Sequence, residues 1–285
     1  MTALVPWQHR LGGAIRRHPV ASFLVWSFPV GQAIAFQPVL ARAWYDVDLP
    51  TAPFVVGANL VGLLLPAFVI TRVVNGRAGV RALWKRAVRV RVPLRWYGLA
   101  LVVVPMATTA TAVALLGAPE GTGWVLASAL AAGLLVQLLV VFLTTNWAEE
   151  VAWTGFVQTR LQDRHGPVRA AVATGPLFAL QHVSLAVGNP IALVLLAVLA
   201  IPFRMLTGYM WNRTGNLLVL GLLHAAGNAA APGGGFGGGF LRKLYPDDAM
   251  TAGAMHLLAF AVVGIVVLVA TRGRLGGRRT DGGER

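Results

Sequence analysis

The sequence predicts an all-α integral membrane protein of about eight transmembrane helices, with one amphipathic helix at the cytoplasmic membrane surface. Of its 285 residues, 56% are hydrophobic and only 12% are charged, about half the charged share of a soluble domain. The apolar residues form runs near the roughly 20 residues that a helix needs to cross a bilayer core. No long polar linker separates these runs, so residues 1–285 are expected to form a single polytopic membrane domain.

Eight apolar segments can be drawn along the chain. They cover about 19–41, 53–73, 96–117, 131–160, 170–187, 190–211, 215–231 and 251–271. The fourth is the hardest to delimit, because apolar residues already begin near Trp124. A single helix from there to Arg160 would be roughly 55 Å long. It would therefore have to tilt, break or extend beyond the membrane.

The charged residues orient these segments. Lys and Arg total 24 against 10 Asp and Glu, a net charge of +14, and the bases concentrate in alternate loops. This asymmetry predicts that both termini are cytoplasmic, with anionic lipids rather than nucleic acid as the partner of the basic loops. Only two of the bases are lysine, which together with abundant Ala and Gly favours a bacterial plasma membrane. The absence of cysteine excludes thiol catalysis and cysteine metal sites.

Three segments outside the spans have their own predictions. Residues 75–95 combine apolar positions at helical spacing with a basic opposite face, which predicts an interfacial amphipathic helix. The glycine-rich run 233–239 predicts a mobile outer loop. Residues 272–285, which carry five arginines at 272, 274, 278, 279 and 285, predict a disordered basic tail.

Several ionisable or polar residues fall inside the apolar segments, where such groups are costly and point to function. They are Glu149, Glu150, His182, Arg204, His224 and Asn228. Glu149 lies 11 residues from the nearest cytoplasmic base, His182 lies 13 and His224 lies 11. These separations place all three roughly 16–20 Å deep, near the middle of the membrane.

A carboxylate, two imidazoles and an amide at one depth can activate a water molecule and bind an oxyanion. Glu149, His182 and His224 can alternatively hold a zinc ion that leaves one position open for water. Each residue alone also has a structural explanation, such as a histidine that packs against a neighbouring helix. A small-molecule or proton-coupled transporter would use buried Glu and His as well, but no internal repeat supports that class.

The spacing of these residues resembles a known family, the CAAX protease and bacteriocin-processing (CPBP) intramembrane proteases, which include the type II CAAX prenyl endopeptidases. The family's motifs EExxxR, FxxxH and HxxxN correspond here to Glu149-Glu150 through Thr154, Phe178-xxx-His182 and His224-xxx-Asn228. The resemblance covers about residues 131–230, the expected catalytic core. It implies an eight-helix endopeptidase that cleaves a peptide or membrane protein, described both with and without a metal.

The resemblance also implies a role for each residue. Glu149 would activate water with the help of His182, while His224 and Asn228 would stabilise the oxyanion. Glu150 would pair with the motif arginine, but the chain has Thr154 there. We expect Arg204 to replace that arginine, since it lies at a depth similar to that of Glu150; the alternative is that Arg204 extends to the cytoplasmic surface.

The sequence therefore favours an intramembrane endopeptidase. The alternative is a non-catalytic immunity, regulatory or scaffold protein that retains the fold, which the missing motif arginine favours. A CAAX substrate needs prenylation, which a bacterial host is not expected to supply, so the family name does not define the substrate.

Overall fold

The computed structural model describes residues 5–119, 123–230 and 239–277. Every regular element within these ranges is helical. In chain order the helices are α1 Val5–Arg17, α2 Pro19–Ala35, α3 Gln37–Tyr45, α4 Thr51–Val88, α5 Leu94–Leu116, α6 Gly123–His165, α7 Pro167–Leu180, α8 Pro190–Thr214, α9 Leu217–Asn228, α10 Phe240–Leu244 and α11 Ala249–Ala270. The predicted glycine-rich loop lies outside the described residues except for Gly239.

In the part of the chain that the structure describes, four helices are long and apolar enough to cross a membrane, namely α4, α5, α6 and α8. A fifth span results if α2 and α3, which are bent by 43° relative to each other, count as one. Three shorter apolar helices lie within α7, α9 and α11. The all-α membrane class is therefore confirmed, whereas the count of eight spans and their orientation remain predictions.

Helix α6 resolves the difficulty of the fourth predicted span. It runs without a break for 43 residues, so it must tilt or extend beyond the bilayer. Two of its stretches, Gln137–Asn146 and Val151–Gln158, are π-helical. Between them lies the short α-helical segment Trp147–Glu150, which carries both glutamates. Such i→i+5 turns occur frequently at functional sites.

The predicted interfacial helix differs from expectation at both ends. Helix α4 is interrupted at Gly76, whose φ of 67° and ψ of −165° suit only glycine, and a helix continues from there to Val88. It does not reach residue 95, because Pro93 disfavours helical geometry at the residue before it and lacks an N–H group. Leu83 and Ala87 are buried, and the basic face is exposed.

The last described segment, residues 272–277, also differs from its prediction as disordered. It forms turns after α11, and Leu275 is fully buried against Ala171 and Met205. Asn212 holds it in place by donating to the Leu275 carbonyl oxygen at 2.8 Å. Residues 278–285 of the predicted tail lie outside the described residues.

Helix α9 lies at the centre of the molecule. Nine of its residues are buried, and it packs against α4, α5, α6, α8 and α11. Asn216 caps its first turn by accepting a hydrogen bond from the Val219 amide at 3.0 Å. The cap and the surrounding helices fix α9, which carries His224 and Asn228, against the two glutamates of α6.

Candidate active site

A cavity of about 420 Å³ lies between the helices, within the range that ligand pockets commonly have. Glu149, His182, His224 and Asn228 all line this cavity. The expected convergence of the three motifs is therefore present, while the catalytic role of each residue remains a prediction. The walls are mostly apolar, and Phe28, Leu63, Phe178 and Phe203 are among their larger side chains.

The Glu149 carboxylate lies in the cavity wall, with the residue only 3% exposed. Gln181 donates from Nε2 to its Oε1 at 2.6 Å, and Asn146 donates from Nδ2 to its Oε2 at 3.4 Å. His224 Nδ1 lies 3.6 Å from the same Oε2. One carboxylate oxygen is thus fixed by Gln181, and the other lies between an amide and an imidazole.

Gln181 is a site residue that the sequence reasoning missed. Besides Glu149 it contacts two more polar side chains: Trp153 Nε1 donates to its Oε1, and its Nε2 also donates to Asn59 Oδ1 at 3.1 Å. Its position directly before His182 is the one sequence signal for it, and that signal does not reveal the contact with Glu149. Its bonds join α4, α6 and the end of α7 at the glutamate.

His182 does not lie within a helix, as the predicted span to residue 187 required, but in the turn just after Leu180, where α7 ends. Its Nδ1 lies 3.0 Å from the Phe178 carbonyl oxygen. A carbonyl can only accept, so Nδ1 must donate, and in the neutral ring Nε2 then keeps its lone pair. The Phe178 ring packs one turn away, with 4.9 Å between ring centroids.

Behind Glu149, a second polar cluster is fully buried. Arg204 NH1 lies 3.1 Å from Glu150 Oε1, so the predicted contact between these residues is present and the alternative of a surface-directed Arg204 is wrong. Thr154 bridges the pair, since its hydroxyl donates to Glu150 Oε2 at 2.5 Å and accepts from Arg204 NH2. Gln158 accepts from Arg204 Nε at 3.1 Å. Glu150 therefore keeps a positively charged partner although position 154 holds threonine, because α8 supplies Arg204.

Glu150 also contacts His224, which the sequence reasoning did not foresee. His224 Nδ1 lies 3.0 Å from Glu150 Oε1. The Glu150 carboxylate, paired with Arg204, can only accept, so the imidazole is the donor in this bond. The Phe178 and Phe203 rings flank the imidazole, with centroid distances of 5.7 and 4.9 Å. Glu150 therefore positions His224 in addition to pairing with arginine.

The zinc ion predicted as an alternative would need Glu149, His182 and His224 arranged around one point. Among the described residues, no group of three His, Asp or Glu side chains is arranged to hold a metal ion. Nδ1 of His224 contacts Glu150 and Nδ1 of His182 contacts the Phe178 carbonyl oxygen, so only the two Nε2 atoms could face a metal ion. Together with Glu149 they are not arranged around one point within the described structure, so this donor set does not fit a zinc ion.

Comparison with known proteins adds one match. Residues 131–230 match the family model described as type II CAAX prenyl endopeptidase Rce1-like. Comparisons with curated proteins and with solved structures gave no match. The matched range coincides with the predicted catalytic core. It contains the seven motif residues and Arg204, that is, Glu149, Glu150, Thr154, Phe178, His182, Arg204, His224 and Asn228. Residues 131–230 are therefore similar to the Rce1-like family, and this similarity supports the resemblance to the CPBP family.

Proposed function

We propose that this protein is an intramembrane endopeptidase that hydrolyses a peptide bond with water activated by Glu149. The observation that carries the proposal is the position of the Glu149 carboxylate, which is held in a mostly apolar cavity beside two imidazoles and an amide. The match to an endopeptidase family supports the same class of reaction. The proposed substrate is a peptide or a membrane protein with a segment in the cavity.

In this mechanism Glu149 accepts a proton from water, and the resulting hydroxide attacks the carbonyl carbon of the peptide. The Oε2 oxygen is suited to this task, because its contacts at 3.4 and 3.6 Å are longer than the 2.6 Å bond that fixes Oε1. His182 lines the same cavity and assists through the lone pair of Nε2. The proton taken from water is then delivered to the leaving nitrogen.

The oxyanion is stabilised by His224 and Asn228, which share one face of α9 and line the cavity together. Since Nδ1 of His224 is bonded to Glu150, Nε2 can donate only when the ring carries its second proton.

The non-catalytic alternative depended on the missing motif arginine. The contact between Arg204 and Glu150 removes this reason, since the second glutamate keeps a buried positive partner at 3.1 Å. The site itself therefore no longer favours an immunity, regulatory or scaffold role. A negative activity test would favour it.

The test is cleavage of a broad peptide library by the purified protein. We expect Glu149→Gln to lower kcat by about 10²–10⁴-fold, the usual contribution of a general base. We expect His224→Ala to lower kcat by about 10²–10³-fold, as for loss of one oxyanion donor. The matched controls are Asp163→Asn and His165→Ala, both exposed on the same helix as Glu149. Absence of cleavage, or equal cleavage by the Glu149 and Asp163 variants, would reject the proposal.

The proposal also includes a location in the plasma membrane of a bacterium, with both termini cytoplasmic and the basic loops against anionic lipids. The exposed bases of α4, among them Arg81, Lys85 and Arg86, support it. Vesicles that contain anionic lipid should therefore stabilise the protein more than neutral vesicles do, and salt should weaken this difference.

A further inference from the structure

The cavity wall contains buried oxygens that no protein group satisfies. Among the described residues, six buried side-chain oxygens have no hydrogen-bond partner. Four of them belong to residues that line the cavity, namely Ser27, Gln32, Gln137 and Asn146. Buried polar atoms without a partner are rare in folded proteins, and each one calls for an explanation. Their concentration at one cavity points to a ligand that brings hydrogen-bond donors.

Three of the four are amide oxygens, which can accept but cannot donate. Gln32 donates from Nε2 to the carbonyl oxygens of Leu180 and Gln181 at 3.1 and 3.0 Å, so its other atom must be the oxygen. Asn146 donates from Nδ2 to Glu149, which fixes its orientation in the same way. The ligand at these positions must therefore supply N–H or O–H groups.

Two of these residues are linked to the reactive carboxylate through the hydrogen bonds of their amide nitrogens. Asn146 is bonded directly to Glu149, and Gln32 is bonded to the backbone of Gln181, whose side chain holds Glu149. Gln137 lies on the same helix as Asn146 and is 4% exposed. The acceptors thus come from α2 and α6, whereas His224 and Asn228 line the cavity from α9.

A peptide segment matches this wall chemically. In a membrane a helical segment satisfies its N–H groups internally, and they need new acceptors when the segment unwinds to expose a peptide bond. We propose that the cavity binds an unwound peptide segment through main-chain N–H groups donated to the amide oxygens of Gln32, Gln137 and Asn146. This inference rests on the proposed function and specifies its substrate as an extended backbone, recognised with little dependence on side-chain identity.

The test compares peptides with and without N–H groups. The probe is a mixture of N-acetylated, C-amidated hexapeptides with Ala, Val, Leu and Phe at the four central positions. The comparison mixture has ester links in place of the central amides, which removes the N–H groups with little change in shape. Retention of each mixture is measured on the immobilised Glu149→Gln protein in detergent, so that no cleavage interferes. We expect the ester mixture to be retained about tenfold more weakly or worse.

A second comparison locates the binding site. Gln137→Met removes one acceptor, and no hydrogen bond in which Gln137 takes part is found in the described residues. We expect it to weaken retention of the amide mixture about fivefold while leaving the thermal stability unchanged or raised. Thr108→Val is the matched control, since Thr108 also has an unsatisfied buried oxygen but does not line the cavity.

Three results would overturn the inference: no retention of either mixture, equal retention of both, or equal retention by the Gln137 and Thr108 variants. The outcome is independent of catalysis. Retention that depends on N–H groups without cleavage by the wild type would reject the protease and keep this inference. Cleavage by the wild type together with equal retention of both mixtures would keep the protease proposal and reject this inference.

Discussion

Replacement of Arg204 by methionine should destabilise the protein strongly. The guanidinium contacts both Glu150 oxygens at 3.1 and 3.3 Å, the Thr154 hydroxyl and the Gln158 amide oxygen at 3.1 Å. Every one of these residues is 0% exposed, so water cannot replace the lost donors. Removal of one partner from such a buried pair costs about 3–5 kcal/mol. The unfolded fraction should therefore rise roughly 10²–10⁴-fold.

The assay is reversible unfolding by SDS in mixed micelles, followed by tryptophan fluorescence, for a double-mutant cycle. Glu150→Gln alone should also destabilise the protein, but the double variant Glu150→Gln/Arg204→Met should lose about 2–3 kcal/mol less than the sum of the single changes. This coupling is the quantity that isolates the ion pair from the general effect of each substitution.

Arg213→Met is the control, because Arg213 is exposed at the end of the same helix. It should change the stability by less than about 0.5 kcal/mol. If Arg204→Met unfolds as readily as this control, or if the two losses in the cycle simply add, the argument that Arg204 replaces the motif arginine is wrong.

Further predictions concern the exchange of the arginine, the position of Glu149, a helix contact and zinc. The double variant Thr154→Arg/Arg204→Ala, which restores the family motif, should unfold later in SDS than Arg204→Ala, since Glu150 regains a positive partner from its own helix. Gln181→Leu should lower kcat about 10–100-fold with little change in KM, because Glu149 loses its 2.6 Å donor. Gly62→Ala should destabilise the protein by about 1–3 kcal/mol, because the new Cβ would lie 2.7 Å from the Gly31 Cα. Purified active protein should contain no stoichiometric zinc by metal analysis, and a chelator should leave its cleavage rate unchanged.

Each of these predictions has a result that contradicts it. Equal unfolding of the exchanged and the single arginine variants would show that position 154 cannot supply the charge. Gln37→Leu changes an exposed glutamine and should keep full activity, so an equal loss there would discount the effect of Gln181. Gly98→Ala has open space and should not destabilise, so equal stability of the two glycine variants would refute the close contact. One zinc per chain, together with loss of cleavage when a chelator is added, would contradict the prediction that the active protein contains no zinc.

The parts of the site that the sequence predicted well depend on depth. Counting residues from the nearest base of each apolar segment placed Glu149, His182 and His224 at one level, and all three line one cavity. The count works because helices cross a slab of roughly fixed thickness. The same count brought Arg204 to Glu150 on another helix, although no motif links them. Charged groups inside a membrane need partners, and this requirement makes long-range pairs predictable there.

Other features of the site could not be predicted in this way. Gln181, Asn146 and Asn59 are isolated amides in apolar segments, and only the packed structure shows that the first two hold Glu149. The end of α7 at Leu180 is followed by no Gly or Pro until Gly188, and the nearest such residues before it, Gly175 and Pro176, lie within the helix. The break at Gly76 was equally hidden, since a single glycine is usually tolerated in a helical pattern.

The π-helical stretches of α6 affect how the chain can vary in length. Each i→i+5 turn holds one residue more than an α-helical turn, so a single deletion within Val151–Gln158 can be absorbed by conversion of that turn to α-helix. A deletion within Trp147–Glu150 cannot be absorbed in this way, because that segment is already α-helical. It would rotate one glutamate by about 100° away from its partners. Natural length variation in this helix should therefore be confined to the segments on either side of the two glutamates.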